Sequence, residues 1–253
     1  MKLFEKISRS INRVEADNNF QPAWYAIFFK PLFITRRALF LSILKFSKSV
    51  INKKILDVGC GEAPYRNLFE SCEYIGIDVE GASHDDNLKK TDIFFNGTDI
   101  PFPDDTFDMV ILSEVLEHVE NADRIISEIS RVLKKTGVLY LTIPFVWDEH
   151  AIPYDFRRLT TFGLRQILSE NHLEATDIQK TSGIFGAVGQ LISSFLFDFA
   201  FRNLKLIYRI KYIFQKLFTL FICFPVQSIC LLLDYVFGKK GITVGYVVIA
   251  KKI

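Results

Sequence analysis

Two glycines and two carboxylates carry the strongest chemical signal in this chain. One apolar run ends in Asp57-x-Gly59-x-Gly61, and a second apolar run ends at Asp78. The first pattern predicts a buried strand whose exit turn lacks two side chains, so that its backbone can approach a ligand closely. The second places a carboxylate at the tip of the neighbouring strand, where it can accept hydrogen bonds from a ribose diol. The sequence therefore predicts an adenosine-type cofactor across the carboxyl ends of a parallel sheet.

Spacing argues against a dinucleotide cofactor. The NAD fingerprint is Gly-x-Gly-x-x-Gly, and its third glycine lets the following helix pack closely on the strand. Here Pro64 stands at that third position. The acid Asp57, which precedes the glycines, is also not part of the NAD pattern. The pattern therefore indicates a different cofactor.

The Asp57-x-Gly59-x-Gly61 turn with Asp78 resembles motif I of class I S-adenosylmethionine (SAM)-dependent methyltransferases. SAM fits the pattern because it has no pyrophosphate and carries a positively charged sulfonium and an amino-acid end. Further segments extend the resemblance to the methyltransferase type 11 family over roughly 130 residues, in matching order and spacing. These segments are PFPDDTFD at 101–108, SEVLEH at 113–118 and RVLKKTGVL at 131–139.

The resemblance implies an α/β fold with a Rossmann-like sheet. This sheet has seven strands, of which the last is antiparallel, and helices cover both of its faces. The resemblance also implies that the turn of Gly59, Cys60 and Gly61 contacts SAM together with Asp78. Asp57 belongs to the same expected binding set.

The adenine side of the cofactor site has several candidate residues. In the family, the acid that touches the adenine amine lies closer to the Leu-Pro-Phe block than Asp92 lies to Pro101. Asp92 is our first choice for this role, and Asn96 and Asp99 are the alternatives. Glu114 follows a predicted strand, and its family-typical role is to line the cofactor side.

Alternating apolar runs and amphipathic stretches predict where the core elements lie. Asn121 or Asp123 can cap a helix that extends to a stop at Gly137, and Thr160 or Thr161 begins another. The predicted strands are 53–58, 74–79, 107–112, 138–143, 174–182 and 243–250.

Methyl transfer is an in-line displacement, so the main task of the site is to align the acceptor with the sulfonium methyl. An oxygen or nitrogen acceptor can also need a base within hydrogen-bond reach. His150 is the leading candidate, because an unperturbed imidazole titrates near neutral pH and its loop, 143–158, leaves a strand at the carboxyl rim. Asp155 and Glu114 complete the set of catalytic candidates.

A structural interpretation of the same loop stays open beside the catalytic one. Asp155 can form an ion pair with Arg157 in a turn, while Asp148 and Glu149 are further candidates for the base. His118 is as well explained by packing near a helix start as by catalysis. The loop resembles the acceptor-side loop of type 11 methyltransferases found with bacterial surface-polysaccharide enzymes.

Composition limits the partners and the compartment. The 253 residues hold 31 lysines and arginines against 29 acids, a net charge of +2, which gives no case for nucleic-acid binding. The four cysteines show no paired or metal-binding spacing, so we expect no metal site and a reduced, cytosolic protein. The first residues have no continuous apolar segment, which argues against a signal peptide.

An apolar insertion separates the predicted sixth and seventh strands. Because the sixth strand runs parallel to its neighbours, we expect the insertion at the cofactor end of the sheet. A helix over Arg202–Lys216 is expected to show a basic face on a very apolar surface, as binding at an anionic membrane interface requires.

Leu217–Phe237 is long enough to cross a bilayer, but the chain must return to the sheet, which favours a monotopic or re-entrant insertion. An extra packed helix or a dimer interface is the alternative, and Pro225 is a candidate site for a bend.

The expected organisation has four parts: an N-terminal amphipathic helical arm at 1–50, a SAM-binding core at 51–183, the apolar insertion at 184–240 and a final strand at 241–253. The expected activity is SAM-dependent methyl transfer on the inner face of a membrane. The preferred acceptor is a hydroxyl of a lipid-linked sugar or polysaccharide intermediate. A quinone or other lipid acceptor is the alternative, and a non-catalytic SAM-binding membrane scaffold is the hypothesis from another class. The sequence leaves the oligomeric state open.

Overall fold

The computed structural model describes residues 19–81, 90–205 and 208–253. These residues form two compact units. The sheet unit comprises Ile43–Lys180 and Gly245–Ile253, and the helical unit comprises the described residues up to Ser42 together with Thr181–Val244.

A seven-stranded mixed sheet forms the sheet unit, as predicted. The strand order is β3-β2-β1-β4-β5-β7-β6, and every neighbouring pair is parallel except the two pairs that involve β7. The carboxyl ends of the six parallel strands therefore share one edge. The strands are β1 (Lys54–Val58), β2 (Glu73–Val79), β3 (Ile93–Phe95), β4 (Phe107–Ser113), β5 (Leu133–Pro144), β6 (Leu173–Lys180) and β7 (Gly245–Lys252).

Helices pack on the sheet because strand side chains alternate between its two faces. The helices α2 (Ala122–Val132) and α3 (Thr161–Glu170) bury their apolar residues with Leu139 and Leu141 in the main core. Tyr140 lies between these two leucines and so faces the other way, where its ring contacts Phe46 at 5.1 Å between centroids. Phe46 belongs to the last turn of α1 (Phe33–Ser47).

Side-chain caps begin both core helices, as predicted. The Asn121 side chain accepts a hydrogen bond from the Arg124 amide at 3.1 Å. Thr160 Oγ1 accepts one from the Gly163 amide at 3.2 Å. Because each cap satisfies an otherwise unpaired amide of the first turn, it fixes where its helix starts and where the preceding loop ends.

The predicted boundary between α2 and β5 was wrong. The helix ends at Val132 rather than near Gly137, and β5 begins at Leu133 instead of Val138. Leu133 is fully buried and pairs with Phe107, and a register shift follows this pair. Because Leu133 is buried, the strand includes the lysines that follow it, although lysines are also typical of the last turn of a helix.

Helices make up the helical unit, and they interrupt the chain between β6 and β7 as predicted. They are α4 (Ile184–Phe201), α5 (Tyr208–Phe218) and α6 (Phe224–Phe237), with a π-helical turn at Thr219–Cys223 between the last two. The predicted single helix over Arg202–Lys216 was wrong, because α4 ends at Phe201. The π turn ends at Cys223, and Pro225 lies in the first turn of α6. Because proline has no amide hydrogen and its ring clashes with the carbonyl four residues earlier, the regular hydrogen-bond pattern of α5 cannot continue through this point.

The helical unit buries several polar side chains and exposes many large apolar ones. Its interior contains Gln190, Ser193, Gln227 and Asp234, all buried, whereas Tyr235 on α6 is 87% exposed. Two of these residues are hydrogen-bonded within the unit: Gln190 Nε2 donates to the Pro31 carbonyl at 2.9 Å, and Asp234 Oδ2 accepts from the Gly183 amide at 2.7 Å. The exposed large apolar side chains of the three helices include Phe195, Phe199, Ile213, Phe214, Phe221, Ile229, Leu232 and Phe237.

Close helix packing depends on glycine in this unit. A Cβ atom at Gly189 of α4 would lie 2.6 Å from the Cβ of Cys230 on α6. Small residues at a helix contact with apolar residues outside are typical of helices that pack in lipid. By length and composition alone, Ile184–Phe201 and Ile210–Phe237 could each cross a membrane, and only 33% and 22% of their most apolar windows are buried.

A buried ion pair holds the loop between β3 and β4 against α2. Glu128 Oε2 accepts from the Ile100 amide at 3.0 Å and from Arg131 Nη2 at 2.7 Å. The same guanidinium donates from Nη2 to the Ile100 carbonyl at 2.9 Å and from Nη1 to the Phe102 carbonyl at 2.8 Å. This network positions Asn96–Asp99 at the carboxyl edge of the sheet.

Replacing Glu128 with alanine is therefore expected to lower the free energy of unfolding by about 2–4 kcal/mol, because it leaves a buried amide and a partly buried guanidinium without their acceptor. Urea denaturation monitored by circular dichroism measures the change. The control variant Glu174→Ala removes an exposed carboxylate of β6 and should change stability by less than about 0.5 kcal/mol. Equal effects of the two variants would contradict the assigned role of Glu128.

Candidate functional site

The glycine turn and Asp78 come together as the sequence predicts. Gly59 and Cys60 donate their amides to the Ile77 carbonyl at 2.8 and 3.1 Å, so the turn after β1 lies against the end of β2. The Gly61 amide donates to Asp78 Oδ2 at 2.8 Å. Asp78 Oδ1 accepts from the Val79 amide at 2.7 Å. These bonds fix the Asp78 carboxylate at the carboxyl edge, beside the turn.

The two glycines of this turn serve different purposes. Both have positive φ, +69° at Gly59 and +52° at Gly61, a conformation that other residues rarely adopt. A Cβ atom at Gly59 would lie 2.6 Å from a methyl of Val115, so this glycine permits close packing against the loop after β4. A Cβ atom at Gly61 would have no described atom within 4 Å. The backbone of Gly61 is therefore the part of the turn that a ligand can approach.

Asp57 lies beneath the turn in a buried position. Its carboxylate accepts a short hydrogen bond from the Tyr74 hydroxyl on β2. Burial raises the pKa of Asp57 from 3.8 to about 7, although the bond from Tyr74 and the charge of Arg66 both lower it. Asp57 is thus largely protonated below neutral pH in the free protein, and a bound cation would favour its charged form.

Cys60 packs inside the turn rather than facing a ligand. Its Sγ lies 3.6 Å from Thr91 Oγ1, and a Cβ atom at Gly76 would lie 2.8 Å from this sulfur. Burial raises the pKa of the thiol to about 12, with a further contribution from Asp57. The Cys60 side chain therefore stays protonated and fills space behind the turn.

Asp92 lies away from the carboxyl edge. It precedes β3, and its amide donates to the Gly76 carbonyl, so it sits level with the middle of β2. Its carboxylate forms an ion pair with Arg66 at 2.5 Å and accepts from the Gly76 amide at 2.7 Å. The bonds from Arg66 and Gly76 lower the pKa of Asp92 despite its desolvation, which raises it. The predicted alternatives, Asn96 and Asp99, follow β3 at the edge itself.

A cavity of about 830 Å³ opens at this edge. Asn96 lines it, and its Oδ1 accepts the amides of Thr98 and Asp99 at 2.9 and 2.8 Å. The remaining lining comes from the end of β2, the loops after β3 and β4, the start of α2, the loop before α3 and Ile167 of α3. Its position at the ends of adjacent parallel strands is where ligands bind in open α/β sheets.

The loops after β4 and β5 are joined at the carboxyl edge. The Phe156 amide donates to the Glu117 carbonyl at 2.8 Å, and Arg157 Nη2 donates to the Glu120 carbonyl at 2.7 Å. The imidazole rings of His118 and His150 are in edge-to-face contact at 4.7 Å between centroids. His150, which sequence reasoning selected, is therefore brought next to a histidine that it did not select.

Asp155 is held by the loop around it. Arg158 donates to both of its carboxylate oxygens, at 2.6 and 2.7 Å, and these bonds hold the pKa of Asp155 far below its usual range. Its partner is thus Arg158 and not Arg157, which binds backbone carbonyls instead. Asp155 Oδ2 also accepts from the His150 amide at 3.0 Å and lies 3.2 Å from His150 Nδ1. Asp155 can therefore orient His150 but stays ionised.

Two glutamates of the β4 loop differ in their surroundings. Glu114 is half-buried, has a φ of +56°, and donates its amide to the Thr142 carbonyl at 3.0 Å. Glu117 is fully buried in the 3₁₀ turn Leu116–His118. Burial raises the pKa of Glu117 strongly, and the charge of Glu114 raises it further. Burial likewise lowers the pKa of the neighbouring His118.

Sequence reasoning missed three residues of this region. Tyr74 and Arg66 contact the expected cofactor residues Asp57 and Asp92, and Glu117 is buried beside His118. The alternation of β2 could have placed Tyr74 on the same face as Gly76, next to the β1 turn. The burial of Glu117 had no signal in the pattern, because it depends on how the β5 loop covers the β4 loop.

The sheet topology, the glycine turn and the acid at the tip of β2 define the class I SAM-dependent methyltransferase fold. Residues 56–141 match the family profile described as a methyltransferase domain. This match and the fold imply SAM as the cofactor.

Individual proteins are similar to parts of the chain or share its fold. The chain is 36% identical over 109 residues to an uncharacterised protein of Methanocaldococcus jannaschii, covering 42% of this chain and 48% of that protein. It is 29% identical over 154 residues to a demethylmenaquinone methyltransferase of Listeria welshimeri, covering 54% of this chain and 59% of that protein. The chain thus spans about half the length of these curated relatives. A SAM-dependent methyltransferase from Archaeoglobus fulgidus shares the fold, with a TM-score of 0.53 and 14% identity, covering 91% of this chain and all of that one.

The raised pKa of Asp57 leads to a pH-dependent stability. Between pH 4 and pH 7 the folded chain keeps the Asp57 proton that the unfolded chain has already lost, so rising pH favours unfolding. This group alone is expected to lower the free energy of unfolding by up to about 1.4 kcal/mol per pH unit in that range. The isosteric variant Asp57→Asn removes the titration, so the difference between the two stability curves should grow with pH and level off above pH 7. Denaturation series from pH 4 to 8 measure it, and parallel curves would contradict a raised pKa.

Proposed function

We propose that this protein is a SAM-dependent methyltransferase that acts on an acceptor held at a membrane. The observation that carries the cofactor assignment is the hydrogen bond from the Gly61 amide to Asp78. It places a carboxylate at the tip of β2, beside a backbone segment that has open space around its α-carbon. In this arrangement Asp78 binds the ribose diol, and Gly59–Gly61 lie along the amino-acid end of SAM.

The remaining cofactor contacts follow from charge and position. Asp57 lies beneath the turn, and its negative form complements the positive charge of SAM. Glu114, at the end of β4, lines the cofactor on the sulfonium side. We assign the adenine side to Asn96 rather than Asp92, since Asp92 is bound to Arg66 and Gly76 away from the edge, while Asn96 lines the cavity.

Deprotonation of the acceptor is proposed at His150. Asp155 lies 3.2 Å from Nδ1 of this ring and stays ionised through Arg158, so it holds the ring orientation. The other ring nitrogen, Nε2, is then the atom that acts on the acceptor. Asp155 serves as a positioning residue, and the in-line alignment of acceptor and methyl group supplies the larger part of the rate.

A membrane-bound acceptor is supported by the helical unit. Its interior holds buried polar residues and glycines beside apolar ones, and its exterior carries aromatic and aliphatic side chains such as Phe199, which is 78% exposed. An outward apolar surface of this size marks a partner or a lipid phase rather than water. Two of the three chain connections to this unit leave the sheet at its carboxyl edge, at Lys180 and Gly245. We propose a cytoplasmic protein bound to the inner membrane as a monotopic helical insertion.

The acceptor is proposed to be a hydroxyl of a lipid-linked sugar or polysaccharide intermediate, on the resemblance of the loop 146–158. The second candidate is a quinone or another lipid, which the demethylmenaquinone methyltransferase of L. welshimeri supports by its similarity. A non-catalytic SAM-binding scaffold is the alternative of another class. All three share the cofactor site; the first two differ in what receives the methyl group, and the scaffold transfers none.

Incubation with methyl-labelled SAM and native membranes distinguishes these candidates. The label is expected in the lipid-linked glycan fraction, whereas label in the simple lipid fraction would favour the second candidate. A His150→Ala variant should lose at least about tenfold in turnover while its SAM affinity stays within about twofold, because it removes a proton acceptor and not a cofactor contact. The control His172→Asn replaces a distant exposed histidine and should leave turnover unchanged. Retained SAM binding with no label in any fraction would contradict an enzymatic role.

Membrane association is tested by flotation with vesicles containing anionic lipid at physiological salt. The full chain is expected to float with the vesicles. The double variant Phe199→Ser and Tyr235→Ser removes two of the most exposed aromatic side chains and should shift the protein markedly toward the soluble fraction. A matched pair on the sheet unit, Phe162→Ser and Tyr154→Ser, also removes exposed aromatics and should not change flotation. Recovery of the wild-type chain wholly in the soluble fraction would contradict membrane binding.

A further inference from the structure

Three side chains at the carboxyl edge form a cluster, and the methyl-transfer site proposed above uses only one of them, His150. Glu117, His118 and His150 each offer one ligand atom, and these atoms all lie within 4.8 Å of one another. His118 Nε2 and Glu117 Oε1 are 3.7 Å apart. Ligands about 2.1 Å from a tetrahedral zinc ion lie roughly 3.4 Å from each other, so a small closure brings the cluster to that geometry.

Glu117 gives independent evidence for a ligand. Its side chain is fully buried, and neither carboxylate oxygen has a hydrogen-bond partner among the residues that the structure describes. A buried carboxylate without a partner is costly, and native proteins rarely retain one unless it binds something. Because His118 Nε2 lies near Glu117 Oε1, a ligand bound to the carboxylate on this side would also contact the imidazole.

The two imidazole rings are oriented as metal ligands are. His118 Nδ1 lies 2.6 Å from the Tyr154 carbonyl oxygen, to which it can donate a proton, and this leaves Nε2 as the acceptor atom near Glu117. His150 Nδ1 lies 3.1 Å from the Asp148 carbonyl oxygen and 3.2 Å from the ionised Asp155. Histidines that bind metals almost always donate their other ring proton to a carbonyl or a carboxylate in this manner.

We propose that Glu117, His118 and His150 bind a divalent transition-metal ion. Two imidazoles and one carboxylate form the ligand set of many catalytic zinc and iron(II) sites, whereas Mg²⁺ and Ca²⁺ prefer oxygen ligands alone. Three protein ligands leave at least one coordination position open. The ion joins the loops after β4 and β5, to which its ligands belong.

The ion changes the proposed deprotonation step, because His150 Nε2 then binds the ion and no longer takes the acceptor proton; this role of the ion rests on the proposed function. With His150 Nε2 bound to the ion, the open position takes the acceptor hydroxyl and lowers its pKa. The proton leaves to solvent, and the oxygen uses the freed electron pair to form a bond to the methyl carbon. The carbon–sulfur bond of SAM breaks at the same time, and its electron pair stays on sulfur.

Equilibrium dialysis of the tag-free full chain against ZnSO4, with metal analysis of the protein, tests the site without any need for activity. Wild type is expected to bind one zinc ion per chain at this site and to prefer Zn²⁺ over Mg²⁺. Glu117→Gln and His118→Ala should each weaken zinc binding at least tenfold. Glu117→Gln conserves shape and places no charge in the buried position, so it should fold, and circular dichroism checks this. The control His172→Asn should bind zinc like wild type.

If wild type binds no zinc, or if Glu117→Gln and His118→Ala bind zinc as wild type does, the proposed metal site is overturned.

The role of the ion in methyl transfer is measured separately. Chelation should abolish label transfer to membranes, and added Zn²⁺ should restore it. The His118→Ala variant should lose activity as His150→Ala does. If His150 acted alone as a base, without the ion, the loss of His118 would not be expected to abolish activity. A preparation that binds zinc but never transfers label would count against the proposed function and leave the site intact.

Discussion

The hydrogen bond between the Gly61 amide and the Asp78 carboxylate is the contact on which the proposed cofactor site depends. It joins the exits of two neighbouring parallel strands, and it forms only if β1 and β2 pair in the observed register, with Asp57 opposite Gly76. A shift of one residue would turn Asp78 to the other face of the sheet. The apolar core under the strands, the close contact of Gly59 with Val115 and the side-chain caps of α2 and α3 all serve to keep this edge in place.

Charge in the sheet unit is arranged in two ways. Carboxylates that have fixed structural partners, such as Glu128 and Asp155, are ion-paired to arginines three residues further along and stay ionised. Asp57, which accepts a hydrogen bond from Tyr74, and Glu117 are buried without an arginine at hydrogen-bond distance among the described residues, and their pKa values are raised. Ionisable groups with raised pKa values in a cleft are typical of ligand-binding or catalytic sites. For Asp57 the proposed ligand is the cationic cofactor, and for Glu117 it is a metal ion.

Much of the sheet could be predicted from the sequence, because each long buried strand is an apolar run that ends in a turn signal. β3 could not, since it has only three residues and two of them are exposed. The start of β5 was missed because lysines after Val132 are equally suited to a helix end. The end of α4 at Phe201 was not predicted, because the sequence continues with apolar residues beyond this position. In the site, the glycine turn and Asp78 were predictable from local spacing. The partners of Asp92, Asp155 and Glu117 depend on how loops distant in sequence meet, which no local pattern records.

The central claim is that Asp78, fixed by Gly61, binds the ribose of SAM. Equilibrium dialysis with labelled SAM tests it most directly, comparing wild type with Asp78→Asn and with Asp177→Asn, which alters an exposed carboxylate on β6. Asparagine can still accept the Gly61 bond but loses the charge-assisted bonds to the diol. We expect Asp78→Asn to weaken SAM binding at least about tenfold and Asp177→Asn to leave it unchanged. Equal SAM affinity of all three proteins would contradict the account.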